Sequence, residues 1–206
     1  MQCFLCQPNQ ALVLSSASKM FLMTGLGPIT PTYCLIPSKS HVRSLADLAL
    51  EDPEAIAEIV HLRGQVANLR GNMLMTEHGR VPVCRDGDEH DGHCFHAHAL
   101  LFQSLKDVES EIGKYYGNKK TFDNLINALM FAATTDHYLL ISNNVLQFTI
   151  FSQPLNVPRQ LARTIVAILE GTPELADWRS TPNEETALAQ AVALRKLIEK
   201  FDDTTA

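Results

Sequence analysis

The sequence predicts an α+β fold, in which α-helices pack against a β-sheet. Three patterns support this prediction. Residues 94–102 alternate between a wholly apolar face and a face that carries two histidines, which is the period-two pattern of a strand. Residues 137–151 contain two β-prone runs on either side of a Ser-Asn-Asn turn, which is typical of a β-hairpin. Residues 53–71, 158–169 and 183–201 have the apolar spacing and the end signals of helices.

For the part of the chain before the histidine-bearing stretch, the sequence predicts short strands and two helices. Residues 32–36 are β-prone and apolar, and Pro37 ends that strand. Asp52 and Pro53 provide a helix start, because an N-cap candidate is followed by proline at the first helical position. The other predicted strands are residues 11–15, 21–23 and 73–75, and the other predicted helix is residues 44–50.

The second half of the chain predicts helices on both sides of the hairpin. Residues 121–133 place their apolar side chains at helical spacing. Pro158 begins a helix that stops at Gly171. Arg159 and Arg163, one turn apart on that helix, either reach a phosphate or form a solvated face, and we expect the solvated face.

The stretch around His96 and His98 carries the strongest sign of chemistry. On a strand that rises about 3.3 Å per residue, these two imidazoles lie about 7 Å apart on one face. They can converge on one phosphate or on one metal ion. The alternative is a purely structural role, in which buried histidines simply find hydrogen-bond partners. Five of the eight histidines fall between His78 and His98, which favours a functional role.

Composition limits the classes of function. The chain has 206 residues, of which 46% are hydrophobic and 19% charged, and this predicts a globular protein with a sizeable core. A net charge of −6 without a basic patch argues against a nucleic-acid partner. No apolar run reaches the roughly 18 residues of a membrane span, and no signal peptide is evident, so a cytoplasmic protein without a membrane partner is expected. A small phosphorylated ligand stays possible.

Cysteine spacing points to metal chemistry. Cys3 and Cys6 form a Cys-x-x-Cys pair, as in zinc knuckles, but this is only half of a tetrahedral site. The alternative is a pair of free thiols. The chain has an odd number of cysteines, five, which argues against a disulfide framework. Cys34 is expected to be a core residue and Cys84 a loop thiol.

These elements resemble the histidine-triad (HIT) superfamily in order and rough spacing. The resemblance covers about residues 3–105 and rests on the Cys-x-x-Cys pair, on Leu35-Ile36-Pro37-x-x-x-His41, and on the strand ending in His96-Ala97-His98. It implies a HIT-like antiparallel sheet with packed helices in residues 1–110. A mostly helical C-terminal extension, residues 111–206, would then pack on this core. The family also implies a homodimer.

The resemblance departs from the family at the triad itself. The family pattern is His-x-His-x-His followed by two apolar residues, with the middle histidine as nucleophile. One register places Cys94 first and His96 in the middle, and the other places His98 in the middle and Leu100 third. We favour the second register slightly because two bulky apolar residues follow it, and both histidines remain candidate catalytic residues.

The resemblance also implies a zinc site and a reaction. In zinc-bearing members, the structural ion would be held by Cys3, Cys6, His41 and the first triad residue, which is His96, or Cys94 in its place. The implied activity is a nucleotide hydrolase or nucleotidyltransferase, in which a histidine attacks the α-phosphate of a nucleoside phosphate or dinucleotide.

The alternative function is a zinc-stabilised nucleotide-binding module with a degenerate triad and little catalysis. If Leu100 replaces the third histidine, protonation of the leaving group must come from elsewhere in the chain. Three other histidines are candidates for that role, namely His78, His90 and His93.

Overall fold

The computed structural model describes residues 3–80, 95–158 and 160–205, and it confirms the α+β fold. The strands are β1 (Val13–Ser16), β2 (Phe21–Thr24), β3 (Tyr33–Pro37), β4 (Leu74–Gly79), β5 (His98–Phe102), β6 (Tyr116–Phe122), β7 (Tyr138–Asn144) and β8 (Gln147–Pro154). The helices are α1 (Leu45–Glu51), α2 (Pro53–Arg70), α3 (Val108–Gly113), α4 (Leu125–Ala132), α5 (Leu161–Glu170) and α6 (Glu184–Thr205).

Within the described residues, the strands form one eight-stranded antiparallel sheet in the order β1-β2-β3-β5-β4-β7-β8-β6. The histidine-bearing strand β5 is therefore central, between β3 and β4. Its register is fixed on both sides, because Leu100 lies opposite Leu35 of β3 and Thr76 of β4. The sheet contains strands from both sides of residue 110, the predicted boundary between the core and the C-terminal extension. The division of the chain into these two parts stays a prediction.

Helices α1, α2 and α4 pack together on one face of the sheet. This face receives the apolar side of β5, since Ala97, Ala99 and Leu101 are fully buried. Ser44 caps α1 by accepting a hydrogen bond from the Asp47 amide, and Pro53 occupies the first position of α2 as the sequence predicts. The burial of these small and branched side chains stabilises the central strands against the helices.

Helix α5 covers one end of the opposite face. The Tyr33 and Phe102 rings stack there, with centroids 5.1 Å apart, and the Arg163 guanidinium lies 5.0 Å from the centroid of the Tyr33 ring. Arg163 is 3% exposed and donates to three backbone carbonyls. The expectation of a solvated face is therefore wrong for Arg163, and Arg159 lies outside the described residues.

Two predicted elements differ from the structure. Residues 121–133 were expected to form one helix, but strand β6 continues to Phe122 and α4 begins at Leu125, after Asn124 caps its first amides. β6 is an edge strand whose side chains are largely exposed, so it lacks the apolar alternation that marks a strand. The histidine strand begins at His98 rather than at residue 94. The short helix α3 was not predicted.

In the part of the chain that the structure describes, no helix combines enough length with enough apolar character to cross a membrane.

Candidate functional site

Four predicted ligands meet where the central strands β3 and β5 end and begin, respectively. Cys3 and Cys6 share a tight turn, in which the Cys6 amide donates to the Cys3 carbonyl. His41 follows β3, and His96 precedes β5. Their ligand atoms all lie within 4.8 Å of one another. The four side chains could therefore hold a metal ion, as the sequence predicts. Cys94, the alternative ligand, lies outside the described residues.

The His96 ring is central to this cluster. Its Nδ1 lies 3.4 Å from the Sγ atom of Cys3, 3.5 Å from that of Cys6 and 3.3 Å from Nδ1 of His41. Its Nε2 lies 2.7 Å from the Ser38 carbonyl oxygen. Because a carbonyl only accepts, Nε2 carries the hydrogen and Nδ1 presents its lone pair to the cluster.

Burial sets the charge state of this cluster. His96 is 2% exposed, and its burial, reinforced by the nearby His98 and His41 rings, lowers its pKa to about 4. A neutral imidazole is the form that binds metals. The pKa of the Cys6 thiol is raised, first by desolvation and then by its hydrogen bond to Cys3. Cys34, by contrast, is a fully buried core thiol, as predicted, and burial raises its pKa to about 12.

His98 has the opposite ring orientation. Its Nδ1 lies 2.5 Å from the His96 carbonyl oxygen, so Nδ1 carries the hydrogen and Nε2 keeps a lone pair. Burial lowers the pKa of His98, which favours the neutral ring. The two candidate catalytic histidines therefore present different nitrogen atoms. His96 presents Nδ1 to the two cysteines, and His98 keeps Nε2 available to a ligand.

A second histidine, His78, lies on the strand next to that of His98. The pairing of β4 with β5 ends where Thr76 lies opposite Leu100, and the alternation of side chains along each strand puts His78 and His98 on the same face as these two residues. His78 Nε2 lies 3.1 Å from the Tyr116 hydroxyl. Burial lowers the pKa of His78 to about 4, with smaller contributions from the neighbouring His137 and His98 rings.

An open cleft of about 440 Å³ adjoins this end of the sheet. It is lined by Arg43, Arg80, Phe95, Asp136 and His137. Arg43 is largely exposed, and it contacts Asp47 at 3.6 Å. The cleft thus offers both charges and an aromatic side chain to a polar ligand.

Arg80 supports the wall of this cleft. Its guanidinium bonds the Asp47 carboxylate and the carbonyls of Ala133 and Thr135. Its backbone is in the left-handed region, with φ of 55°, which is uncommon for a residue with a side chain. Its carbonyl oxygen accepts a hydrogen bond from Nδ1 of His137. Arg80 thus fixes the position of the His137 ring.

His137 is a candidate site residue that the sequence analysis did not identify. It was interpreted only as the first residue of a hairpin strand. No local sequence pattern marks it, because the pairing of β7 with the strand that carries His78 is what brings it to the site. Leu100, the third-place residue of one register, is partly exposed beyond His98 on the same face. Of the other histidines considered for protonation, His90 and His93 lie outside the described residues, as does Cys84.

Comparisons with known proteins give a distant likeness. No family model matches the sequence, and no curated protein matches it. Among solved structures, a HIT family hydrolase from Clostridium thermocellum resembles this chain, with 16% sequence identity and a TM-score of 0.39. The alignment covers 52% of this chain and 93% of that one. This likeness is too distant to transfer a function.

Proposed function

We propose that this protein is a nucleotide hydrolase or nucleotidyltransferase in which His98 attacks the α-phosphate of its substrate. The observation that carries the proposal is the hydrogen bond from His98 Nδ1 to the His96 carbonyl. It fixes the ring and leaves the Nε2 lone pair available, as a nucleophilic imidazole requires. The resemblance of Leu35-Ile36-Pro37-x-x-x-His41 and His96-Ala97-His98 to the HIT pattern supports a nucleotide substrate.

We propose zinc as the metal held by Cys3, Cys6, His41 and His96. Two thiolates and two imidazoles form a common zinc ligand set. Zinc bonds of about 2.3 Å to sulfur and about 2.0–2.1 Å to nitrogen imply separations of about 3.3–3.6 Å between nitrogen and its neighbouring ligand atoms in a tetrahedron. The separations given above for His96 match this range, and Cys6 Sγ lies slightly closer to His41 Nδ1, at 3.2 Å.

The proposed metal is structural. Four protein ligands close its coordination, so it supplies stability rather than a reactive water. Its ligand His96 also provides the carbonyl that orients His98. A metal held by the His96 ring would therefore be bound by the same residue whose carbonyl orients the nucleophile.

The reaction has two displacements at phosphorus. His98 Nε2 forms a bond to the α-phosphorus while the bond to the leaving group breaks, and the electron pair of that bond goes to the leaving atom, which takes up a proton. Water, or a second phosphate, then attacks the same phosphorus and releases His98. The first acceptor gives a hydrolase and the second a transferase. A homodimer, which the family resemblance implies, and a cytoplasmic location, which the sequence predicts, complete the proposal.

One observation favours a second candidate, a zinc-stabilised nucleotide-binding module. Leu100 occupies the third place of the register in which His98 is the nucleophile, and a leucine cannot donate a proton to a leaving group. In such a module, nucleotides bind at the site but no covalent intermediate accumulates.

The test is the intact mass of the protein after brief incubation with adenosine phosphoramidate or a diadenosine polyphosphate. We expect a nucleotide-sized adduct on the wild type that is absent from His98→Asn. His61→Asn, which changes an exposed histidine of α2, is the matched control and should keep the adduct. An adduct lost in His96→Asn but kept in His98→Asn would assign the nucleophile to His96. Binding of nucleotides without any adduct or turnover would instead favour the binding module.

A further inference from the structure

The described part of β5 contains no residue beyond His98 that could protonate a leaving group. Leu100 and Phe102 are the next two side chains on its face, and neither carries a titratable proton. Among the described residues, two histidines on nearby elements can supply one. They are His78 on β4 and His137 immediately before β7.

These two histidines lie close together where β4 ends and β7 begins. Leu139 of β7 lies opposite His78 of β4, and His137, in the bend before β7, donates to the carbonyl of Arg80, two residues after His78. The electrostatic effect of both His137 and His98 on His78 agrees with this placement. We call these three side chains, His98, His78 and His137, the histidine row.

The spacing along the histidine row suits an in-line displacement. Attacking and leaving atoms lie on opposite sides of the phosphorus, so the nucleophile and the proton donor should flank the phosphate rather than lie side by side. β5 and β7 flank β4, and two strand spacings of about 4.8 Å each separate their backbones by about 10 Å. His98 and His137 therefore stand at the two ends of the row, with His78 between them.

The orientation of His137 also suits a proton donor. Its Nδ1 donates to the Arg80 carbonyl, which leaves Nε2 as the atom available to a ligand. His137 is partly exposed and lines the open cleft, together with Arg43, Asp136 and the Arg80 side chain. His78, in contrast, has its Nε2 engaged with the Tyr116 hydroxyl.

We propose that His137 is the catalytic proton donor to the leaving group, and that this group lies in the cleft beside it; the inference rests on the proposed function. As His98 Nε2 bonds to the α-phosphorus, the leaving atom receives the electron pair of the broken bond and the Nε2 proton of His137. His137 is then neutral. When water attacks the phosphorus, His137 Nε2 takes up the proton that the water loses, and the bond to His98 breaks.

The experiment compares two substrates that differ only in their need for a proton. Adenosine phosphoramidate expels an amine, which must be protonated, whereas the p-nitrophenyl ester of AMP expels a stable anion. We measure adduct formation in a single turnover for the wild type and for His137→Asn. General acid catalysis contributes a factor of about 100 or more to the rate of such a reaction. His137→Asn should therefore slow adduct formation from the phosphoramidate by at least that factor. It should change the rate with the p-nitrophenyl ester by no more than a few-fold.

The control variants separate this inference from the proposed function. His61→Asn should react with both substrates like the wild type, and His98→Asn should react with neither. If His137→Asn slows both substrates equally, or neither, His137 is not the proton donor. His137→Gln, tested in parallel, must show the same substrate dependence. If the wild type forms no adduct with either substrate, or if His98→Asn still forms one, the proposed function itself is wrong and the inference falls with it.

Discussion

The carbonyl oxygen of His96 accepts a hydrogen bond from Nδ1 of His98 at a distance of 2.5 Å. The side chain of His96 faces two cysteines and His41. His96 thus contacts the other candidate metal ligands through its ring and the candidate nucleophile through its backbone carbonyl. Because the two rings present different nitrogen atoms, the two functions do not compete for the same group.

The two rings should differ in tautomer. We expect His98 to carry its hydrogen on Nδ1 and His96 to carry it on Nε2, since each hydrogen donates to a backbone carbonyl. Long-range ¹⁵N–¹H spectra of the metal-loaded protein near neutral pH measure this directly, and His98→Asn identifies the resonances. The same tautomer at both residues would contradict the orientation described here.

Metal removal should destabilise the protein. At a metal concentration about 1,000 times Kd, binding to the native state adds about 4 kcal/mol to the free energy of unfolding. We expect one zinc per chain by elemental analysis, and a lower Tm after chelation. Cys6→Ser, which changes an exposed side chain, should lose the metal, whereas Cys34→Ala should keep it because Cys34 is a buried core thiol. Equal metal content in both variants would exclude the proposed ligand set.

Glu77 should make stability depend on pH. Its carboxylate accepts hydrogen bonds from the Leu45 amide and the Tyr138 hydroxyl, both at 2.6 Å, but burial raises its pKa from 4.5 to about 8. Between these two values the native state binds more protons than the unfolded state, so stability falls as pH rises. The slope reaches about 1.4 kcal/mol per pH unit for one proton.

Glu77→Gln should remove this contribution. The measurement is urea unfolding of the wild type and the variant from about pH 5 to about pH 8, a window that lies between the ordinary and the raised pKa of Glu77. Glu185→Gln, at an exposed position of α6, is the control and should keep the wild-type slope. Parallel pH profiles for the wild type and Glu77→Gln would show that another group sets the dependence.

Arg163 should be hard to replace, even by lysine. Its guanidinium donates to the carbonyls of Gly27, Leu175 and Ala176 at 2.8–3.0 Å and packs on the Tyr33 ring. Lysine cannot reproduce this planar set of donors, so Arg163→Lys should leave buried carbonyls unpaired. The free energy of unfolding should fall by about 2–3 kcal/mol. Urea unfolding measures the change. Lys196→Ala, at a surface position, should change the free energy of unfolding by no more than about 0.5 kcal/mol. A similarly small change in Arg163→Lys would contradict the structural role of Arg163.

Local sequence patterns predicted most of the sheet, and the family resemblance predicted the four candidate metal ligands. The alternation around His98 predicted strand β5, and the apolar run that ends at Pro37 predicted strand β3. Such predictions succeed because the side chains of a half-buried strand alternate between apolar and polar along the sequence. The Cys-x-x-Cys pair and His41 were identified through their resemblance to a family, since residues so far apart have no local signal that they meet.

The missed features depend on contacts that the sequence does not record locally. β6 is an exposed edge strand, so its side chains lack alternation and its pairing with β8 alone defines it. Arg163 looked like a surface residue because only its backbone partners and Tyr33 show that it is buried. The position of His137 beside His78 follows from the pairing of β4 with β7, which no spacing along the chain reveals.

The turn that carries Cys3 and Cys6 is held by parts of the chain that are synthesised much later. The Phe4 ring lies 5.7 Å from that of Trp178, and Arg195 of α6 donates to the carbonyls of Ala11 and Val13. During translation, both thiols leave the ribosome long before His96 and the residues that clamp the turn. Insertion of the proposed metal ion would therefore be a late step of maturation, because His96 and the residues that hold the turn are made only after both thiols.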